Sequence, residues 1–442
     1  MIGEAPHIET PHPGPRSREV TERLRKVEAH PGLTFGLAGV PPVLARAEGA
    51  VIEDPDGNRF LDMVAGFGSL NLGHSHPQIV EAVVSQVALG QQAMSMASTV
   101  RTELLERLAT LVPGASDVML GASGSEATEI ALKLCRRATG KPGVLAFSGG
   151  FHGRTMGALA LMGRGDQRTG LGPLAPVIHV PFPHALRSPF GSDPETVTEV
   201  TLELIDGQLG DPAGGWDLIG TIVVEPVQGT GGMIPAPVGF LSGLREVCDR
   251  HDVLLVIDEV MSGFHRTGRT FAMFHDEGVA PDLVVLGKSL SAGLPLSGVL
   301  ARPEVVEATG SGTETSTYAG NLVSCAAALA ADRVYEDERM SAAADSKGRL
   351  LLDRLDAVLG SRDDVAEIRG LGLMVGVELV NDDGSPKPVA RRISEGCVQR
   401  GLLVYPGGHH GNVVGMLPPL VATDEQLVTA ADVLGSVIDQ VG

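Results

Sequence analysis

The 442-residue sequence predicts an α/β protein, and three observations carry that prediction. Short apolar runs rich in β-branched residues recur along the chain and read as buried strands of a parallel sheet. Segments with helical spacing separate them. Run after run stops at a polar or ionisable residue, which in an open α/β sheet gathers those residues outside the carboxyl ends of the strands. The stretch from Val253 to Lys288 shows the pattern best: Leu254-Leu255-Val256-Ile257 stops at Asp258, and Leu283-Val284-Val285-Leu286 stops one glycine before Lys288.

Taken in order, residues 1–18 are rich in Pro and polar residues and read as an arm or a disordered leader. Gly49 to Met63 reads as strand, turn and strand, with Asp54-Pro55-Asp56-Gly57-Asn58 as the turn. Gly66 to Pro77 is glycine-dense and reads as a loop of the kind that lines sites. His74 and His76 stand at a helix entry with no cluster of ligands around them, so no metal is expected there. A helix from Pro77 carries Ile79, Val80, Ala82, Val83 and Val87, and another from Thr99 carries Leu104, Leu105, Leu108 and Leu111; both are expected to face the core.

Val118 to Ala127 reads as a strand, a glycine turn and a helix start. Ser123 and Glu126 form a capping box, and Ala127, Ile130, Ala131, Leu134 and Cys135 form the buried stripe behind it. Free N–H groups, the positive end of the dipole and the hydroxyls of Ser123 and Ser125 flanking Gly124 suit a phosphate. Val144 to Phe147 ends at a loop with Phe151 and His152, and Ile222 to Val224 ends at Glu225-Pro226. Gly370 to Gly376 is glycine-rich but lacks the following acid of a dinucleotide fingerprint, so it reads as the start of a strand with Val375, Val377 and Leu379 alternating. His409-His410 reads as a loop pair. Thr423-Asp424 caps a final amphipathic helix.

Net charge is −20 with a pI near 5.0, which argues against nucleic-acid binding and against anionic membranes. Four dispersed cysteines show neither a disulfide framework nor zinc spacing, and no apolar run is long enough to span a bilayer. A cytoplasmic protein is expected.

Five strand ends together ask for a ligand with a phosphate, an aromatic face, a basic nitrogen and an electrophile. Pyridoxal phosphate has all four. Lys288 would hold it as an internal Schiff base and carry the proton at the substrate Cα. Asp258 would keep the pyridine nitrogen protonated. Phe151 would stack on the ring, and Gly124-Ser125 would hold the phosphate.

Ser123-Gly124-Ser125-Glu126-Ala127, Phe151-His152-Gly153, Glu225-Pro226-Val227-Gln228-Gly229, Asp258-Glu259-Val260, Gly263-Phe264 with Arg266-Thr267-Gly268, Gly287-Lys288, Thr317-Tyr318-Ala319-Gly320-Asn321 and Pro418-Pro419-Leu420 resemble the class III aminotransferases over nearly the whole chain. The resemblance implies the fold type I architecture: a large cofactor-binding domain, residues 76–323, with a mostly parallel seven-stranded sheet, and a smaller α+β domain from residues 19–75 and 324–442. It implies a homodimer in which Thr317 reaches the neighbouring subunit's cofactor phosphate, and it implies that Val260 packs on the ring face opposite Phe151. Glu225 matches the family's gating glutamate, which pairs with an arginine. Gly415 stands where many members place an arginine for the substrate α-carboxylate, and Met261 stands where a glutamine is common.

The function implied is transfer of an amino group from an amine donor, terminal or on a sugar or polyamine-like skeleton, to a 2-oxoacid or other carbonyl. An amino-acid racemase or epimerase of the same family is the alternative, and a cofactor-binding regulatory protein without chemistry is the third reading.

Overall fold

Seven strands pair into one sheet in the computed structural model, which describes residues 2–29, 40–171 and 174–441. They are β1 (Asp117–Gly121), β2 (Gly143–Phe147), β3 (Val177–Val180), β4 (Ile219–Val224), β5 (Leu254–Asp258), β6 (Leu283–Leu286) and β7 (Ser297–Ala301). Their order is β1-β7-β6-β5-β4-β2-β3. β2 to β6 pair in parallel, and β7 runs antiparallel to both β6 and β1. Every residue of β4 and β6 is buried, which is why these runs, Thr221 apart, are apolar and do not alternate. The fold is the fold type I α/β architecture that the sequence leads one to expect.

Backbone contacts divide the chain into two units, Met1–Pro77 with Arg266–Gly268 and Arg339–Gly442, and Gln78–His265 with Arg269–Glu338. In the second unit, the helices α1 (Pro77–Leu89, of which Pro77 lies at the boundary) and α2 (Gly124–Thr139) behave differently. The α2 stripe Ala127, Ile130, Ala131, Leu134 and Cys135 packs with Val144, Val223, Val256 and Val285 in one core. Ile130, Leu134 and each of the valines contribute about 1.5–3 kcal/mol by leaving water. Phe147, Phe182 and Phe240 form an edge-to-face trio with centroids 5.6 to 6.0 Å apart.

On α1 the expectation of a core face fails. Ile79 alone is buried, whereas Val80, Val84, Val87 and Leu89 are exposed, Val84 by 63%. Val80, Val84 and Val87 share one side of the helix at spacings of four and three. Periodicity reports an apolar stripe and cannot say what covers it.

The first unit holds two four-stranded sheets, one of Arg46–Glu48, Val51–Glu53, Arg59–Asp62 and Leu402–Leu403, the other of Val365–Leu371, Met374–Leu379, Val413–Met416 and Tyr405–Gly407. The N-terminal arm is tied to the turn of the first sheet: His7 bridges Arg59, Asn58 Oδ1 accepts from Thr10 N at 2.9 Å, and Asp56 caps the helix Pro15–Arg25 through Arg16 N and Ser17 N, both at 2.8 Å. Residues Ala65 to Gly68 form a left-handed turn with φ of 48, 59, 59 and 76°. Asp62 supports it, accepting from Val64 N and Ala65 N, each at 2.9 Å, and pairing its other oxygen with His74 Nε2 at 2.8 Å. His74 therefore has a carboxylate partner twelve residues away, across the loop. The final helix, Asp424–Val441, starts with a reciprocal box between Thr423 and Gln426. Among the described residues no helix is long and apolar enough to cross a membrane.

The parallel strands are locked at their starting edge by Asp282. This buried carboxylate accepts from Leu255 N at 2.7 Å and from Arg245 at 2.6 Å, and it pairs with Arg302 at 3.2 Å. Replacing Asp282 by Ala leaves the buried Arg245 guanidinium without that carboxylate. The expected cost is about 3–5 kcal/mol, read as a lowered urea midpoint.

Candidate active site

The opposite edge of the sheet carries the chemistry. Gly124, Ser125, Phe151, His152, Gly153, Glu225, Thr230, Asp258, Val260, Met261 and Lys288 line a cavity of about 170 Å³. They come from the ends of β1, β2, β4, β5 and β6, as the termini of an open α/β sheet require.

At the phosphate end, Ser123 is the N-cap of α2 and its Oγ accepts from Glu126 N at 3.2 Å. Glu126 bonds back to Ala122 N at 2.6 Å, one residue earlier than in the ideal box. Ser123 lies outside the cavity wall, although its Oγ, having accepted at the cap, keeps its hydrogen to donate. Ser125 is on the wall; its Oγ accepts from Arg154 N at 3.1 Å, which leaves its own hydrogen to donate to an anion. Two glycines keep this end open. A Cβ on Gly124 would lie 3.1 Å from Val260 Cγ1, and one on Gly153, whose φ is +134°, would lie 2.4 Å from Ser125 Oγ. Thr128, a turn further along α2, donates to His152 O at 2.8 Å and so ties the Phe151-His152 loop to the same helix.

Asp258 is 3% exposed. One carboxylate oxygen accepts from Val260 N at 3.0 Å, and the other meets His152 Nδ1 at 2.7 Å. Burial works against a charged His152 imidazole, but the hydrogen bond and charge of Asp258 outweigh it and hold the ring above its ordinary value. Glu225, also buried, places Oε1 on Phe151 N at 2.8 Å and Oε2 on Gly229 N at 3.0 Å. Burial pushes its carboxyl up to about 7, against those bonds. Next along β5, Glu259 turns away from the cavity. Ser262 Oγ and Met273 N donate to it at 2.6 and 2.7 Å, and burial pushes it up to about 7 as well.

Lys288 has φ +44°, in the left-handed region that a lysine enters at a cost of about 1–3 kcal/mol. Gly287 before it is extended, and α2 approaches close behind: Gly124 Cα and Val260 Cγ1 would lie 3.6 and 3.4 Å from a Cβ on Gly287. The lysine reaches the cavity because the backbone twists there. Thr317 stands apart from this wall, on an exposed loop whose backbone is held by Gln92 Nε2 at 2.6 Å from Thr317 O.

Gly153, Thr230 and Met261 complete the wall; the resemblance placed Gly153 in a motif and Met261 at a glutamine position, whereas Thr230 had no place in the sequence reading. Met261 packs so that a Cβ on Gly229 would lie 2.1 Å from its Sδ. Arg154 lies with its guanidinium 5.8 Å over the Phe151 ring. The Phe-His-Gly-Arg spacing was the available signal for Arg154; Thr230 carried none.

These residues fit pyridoxal phosphate on their own chemistry. One cavity wall holds a glycine-opened helix start for the phosphate, the side chains of Phe151 and Val260, a buried acid and an amine.

Residues 38–438 match the family model described as aminotransferase class-III. An acetylornithine aminotransferase from Corynebacterium efficiens is 38% identical over 417 residues, 92% of this chain and 95% of that relative. An alanine/serine racemase from Pyrococcus horikoshii is 34% identical over 444 residues, 98% of this chain and 93% of that one. The solved structure of an amine transaminase from an uncultivated Pseudomonas species, in its PLP-bound form, superposes with a TM-score of 0.86 at 31% identity, covering 94% of this chain and 99% of that one.

The Glu225 carboxyl has a consequence for stability. The fold binds its proton more tightly than the unfolded chain does, so its contribution is complete below pH 4.5 and is lost as pH rises through about 7. Glu225→Gln lacks that slope. In urea unfolding from pH 5 to 8, the variant is expected to gain on the parent by an amount on the order of 3 kcal/mol.

Proposed function

The chain belongs to the class III aminotransferase family, and from that membership and the geometry of its cavity we propose which residues do the work and what kind of amine it takes. The protein is a pyridoxal-phosphate-dependent aminotransferase, with small-molecule amines and 2-oxoacids as its substrate classes. The observation that carries the residue assignment is the meeting of Lys288, Asp258 and Glu225 on one cavity wall.

When bound, the cofactor supplies an electron sink for negative charge at the substrate carbon. Lys288 holds the cofactor through its amine and then moves the proton at that carbon. Asp258, itself fixed by His152 and Val260 N, would meet the ring nitrogen and keep it protonated. Phe151 and Val260 would pack on the two ring faces. Ser125 and the first N–H groups of α2 take the phosphate, with Ser123 capping the helix that presents them.

We favour a donor whose reacting amine is terminal, or carried on a sugar or polyamine-like skeleton. The place matched to the family's α-carboxylate arginine is Gly415, paired in its sheet with Gly376 and Tyr405. Glu225 is held by two backbone N–H groups, with no guanidinium on either oxygen among the described residues, and can receive a substrate amine or hydroxyl. Arg154 offers an exposed cation to a carboxylate at the far end of such a donor. Racemisation or epimerisation is the second reading, favoured by the likeness to the Pyrococcus racemase.

A homodimer is supported by the exposed stripe on α1, which a second copy would cover, and Thr317 on its exposed loop would serve the neighbouring subunit's phosphate. Val84→Asp is expected to shift the protein to monomer in light scattering and to weaken cofactor retention. Four buried free thiols accord with a reducing, cytoplasmic setting.

Lys288→Ala is expected to bind cofactor yet lose turnover by at least about 10³-fold in single-turnover assays. The donor is found by mixing the holoenzyme with single amines and following the cofactor's visible absorbance. Conversion by plain α-amino acids alone, with every terminal amine silent, overturns the donor class; deuterium entering Cα with no oxoacid formed selects the racemase reading.

A further inference from the structure

Glu225, His152 and Asp258 leave three different strand ends and form one buried row. His152 Nδ1 meets Asp258 Oδ2 at 2.7 Å. The other edge of the ring faces Gly150, and so does Glu225: a Cβ on Gly150 would lie 3.1 Å from His152 Nε2 and 3.7 Å from Glu225 Oε1. The same Glu225 oxygen is fixed by the N–H of Phe151, the residue joined to His152. A buried imidazole is thus bonded to one carboxylate and has a second close by, the ring and Glu225 both approaching a glycine that carries no side chain.

The charges around that ring are few. Asp258 comes from β5, Glu225 from β4 and Lys288 from beyond β6, all on the cavity wall. His179 on β3 is held below its ordinary value by burial, and its Nε2 lies 3.1 Å from Leu161 O, so it adds little positive charge. Glu259 is turned to Ser262 and Met273 N, and Arg154 is exposed. The two acids of the row dominate the field at His152.

We propose that His152 is a positioning residue that couples Glu225 to Asp258, so that a change of charge on the substrate side of the cavity is felt by the acid beneath the cofactor ring. The coupling rests on the site reading given under Proposed function. It gives a reason for holding Glu225 with backbone N–H groups: an arginine on that carboxylate would cancel the charge that His152 senses, whereas two amides fix its place and leave the charge in play. A substrate amine arriving at Glu225 then weakens the acid's hold on the imidazole, and Asp258 is correspondingly freer to hold the ring proton.

The test is a double-mutant cycle on the holoenzyme, read by pH titration of the bound cofactor's visible absorbance. Glu225→Gln removes a negative charge and is expected to lower the titration midpoint, by about a tenfold change in proton affinity. In a His152→Asn background the same substitution is expected to change it less than threefold. A second arm avoids any loss of folding in His152→Asn: Gly150→Ala puts a methyl group 3.1 Å from Nε2, 3.7 Å from Oε1 and 3.0 Å from Phe147 O, and by crowding that space it too should reduce the effect of Glu225→Gln. A shift of equal size in all backgrounds, or no shift in the parent, overturns the coupling. Parent protein that never develops the cofactor's absorbance overturns the site reading itself, and the coupling with it.

Discussion

A carboxylate can be buried in a cavity wall only if other groups replace the water it has lost. Asp258 meets that condition with a histidine and a backbone N–H, and the rest of the site follows from it. His152 must be held where its Nδ1 reaches the acid, so Thr128 of α2 takes its carbonyl. That bond brings the Phe151-His152 loop to the helix whose first turn presents Ser125. The phosphate end, the aromatic wall and the acid are therefore parts of one hydrogen-bonded frame.

Lys288 belongs to the frame by a different route. Its backbone adopts a left-handed conformation, a strain that persists only where the surroundings over-determine it. Here those surroundings are the extended Gly287 and the close approach of Gly124 and Val260 behind it. Small residues at 124 and 287 serve two ends at once, since they let backbone approach backbone and leave the cavity room beside it.

Much of this was legible in the sequence because buried parallel strands are apolar throughout and end abruptly. The ends at Asp258, Glu225 and Lys288 were readable for that reason, and the capping pair Ser123 and Glu126 marked the start of α2. What stayed hidden depends on packing between residues distant in sequence. No local pattern links His74 to Asp62, or Arg245 to Asp282. Thr230 and Met261 became part of the wall through the fold of a loop, and neither residue type announces a ligand. The stripe on α1 was visible as a stripe, but exposure is a property of the neighbours a helix finds. Ser123 and Ser125 show a further limit: pattern alone does not say which hydroxyl at a helix start lines the cavity, and here Ser123 caps while Ser125 is on the wall.

The strands that end in Asp258 and Lys288 begin beside Asp282, which binds Leu255 N, Arg245 and Arg302. Persistence and chemistry are thereby written at opposite tips of the same two strands. A lineage could exchange residues at the cavity tip, trying new amines, while the far tip keeps the frame in register. Selection on substrate and selection on durability would then act on separate positions, and the history of each could be read independently of the other.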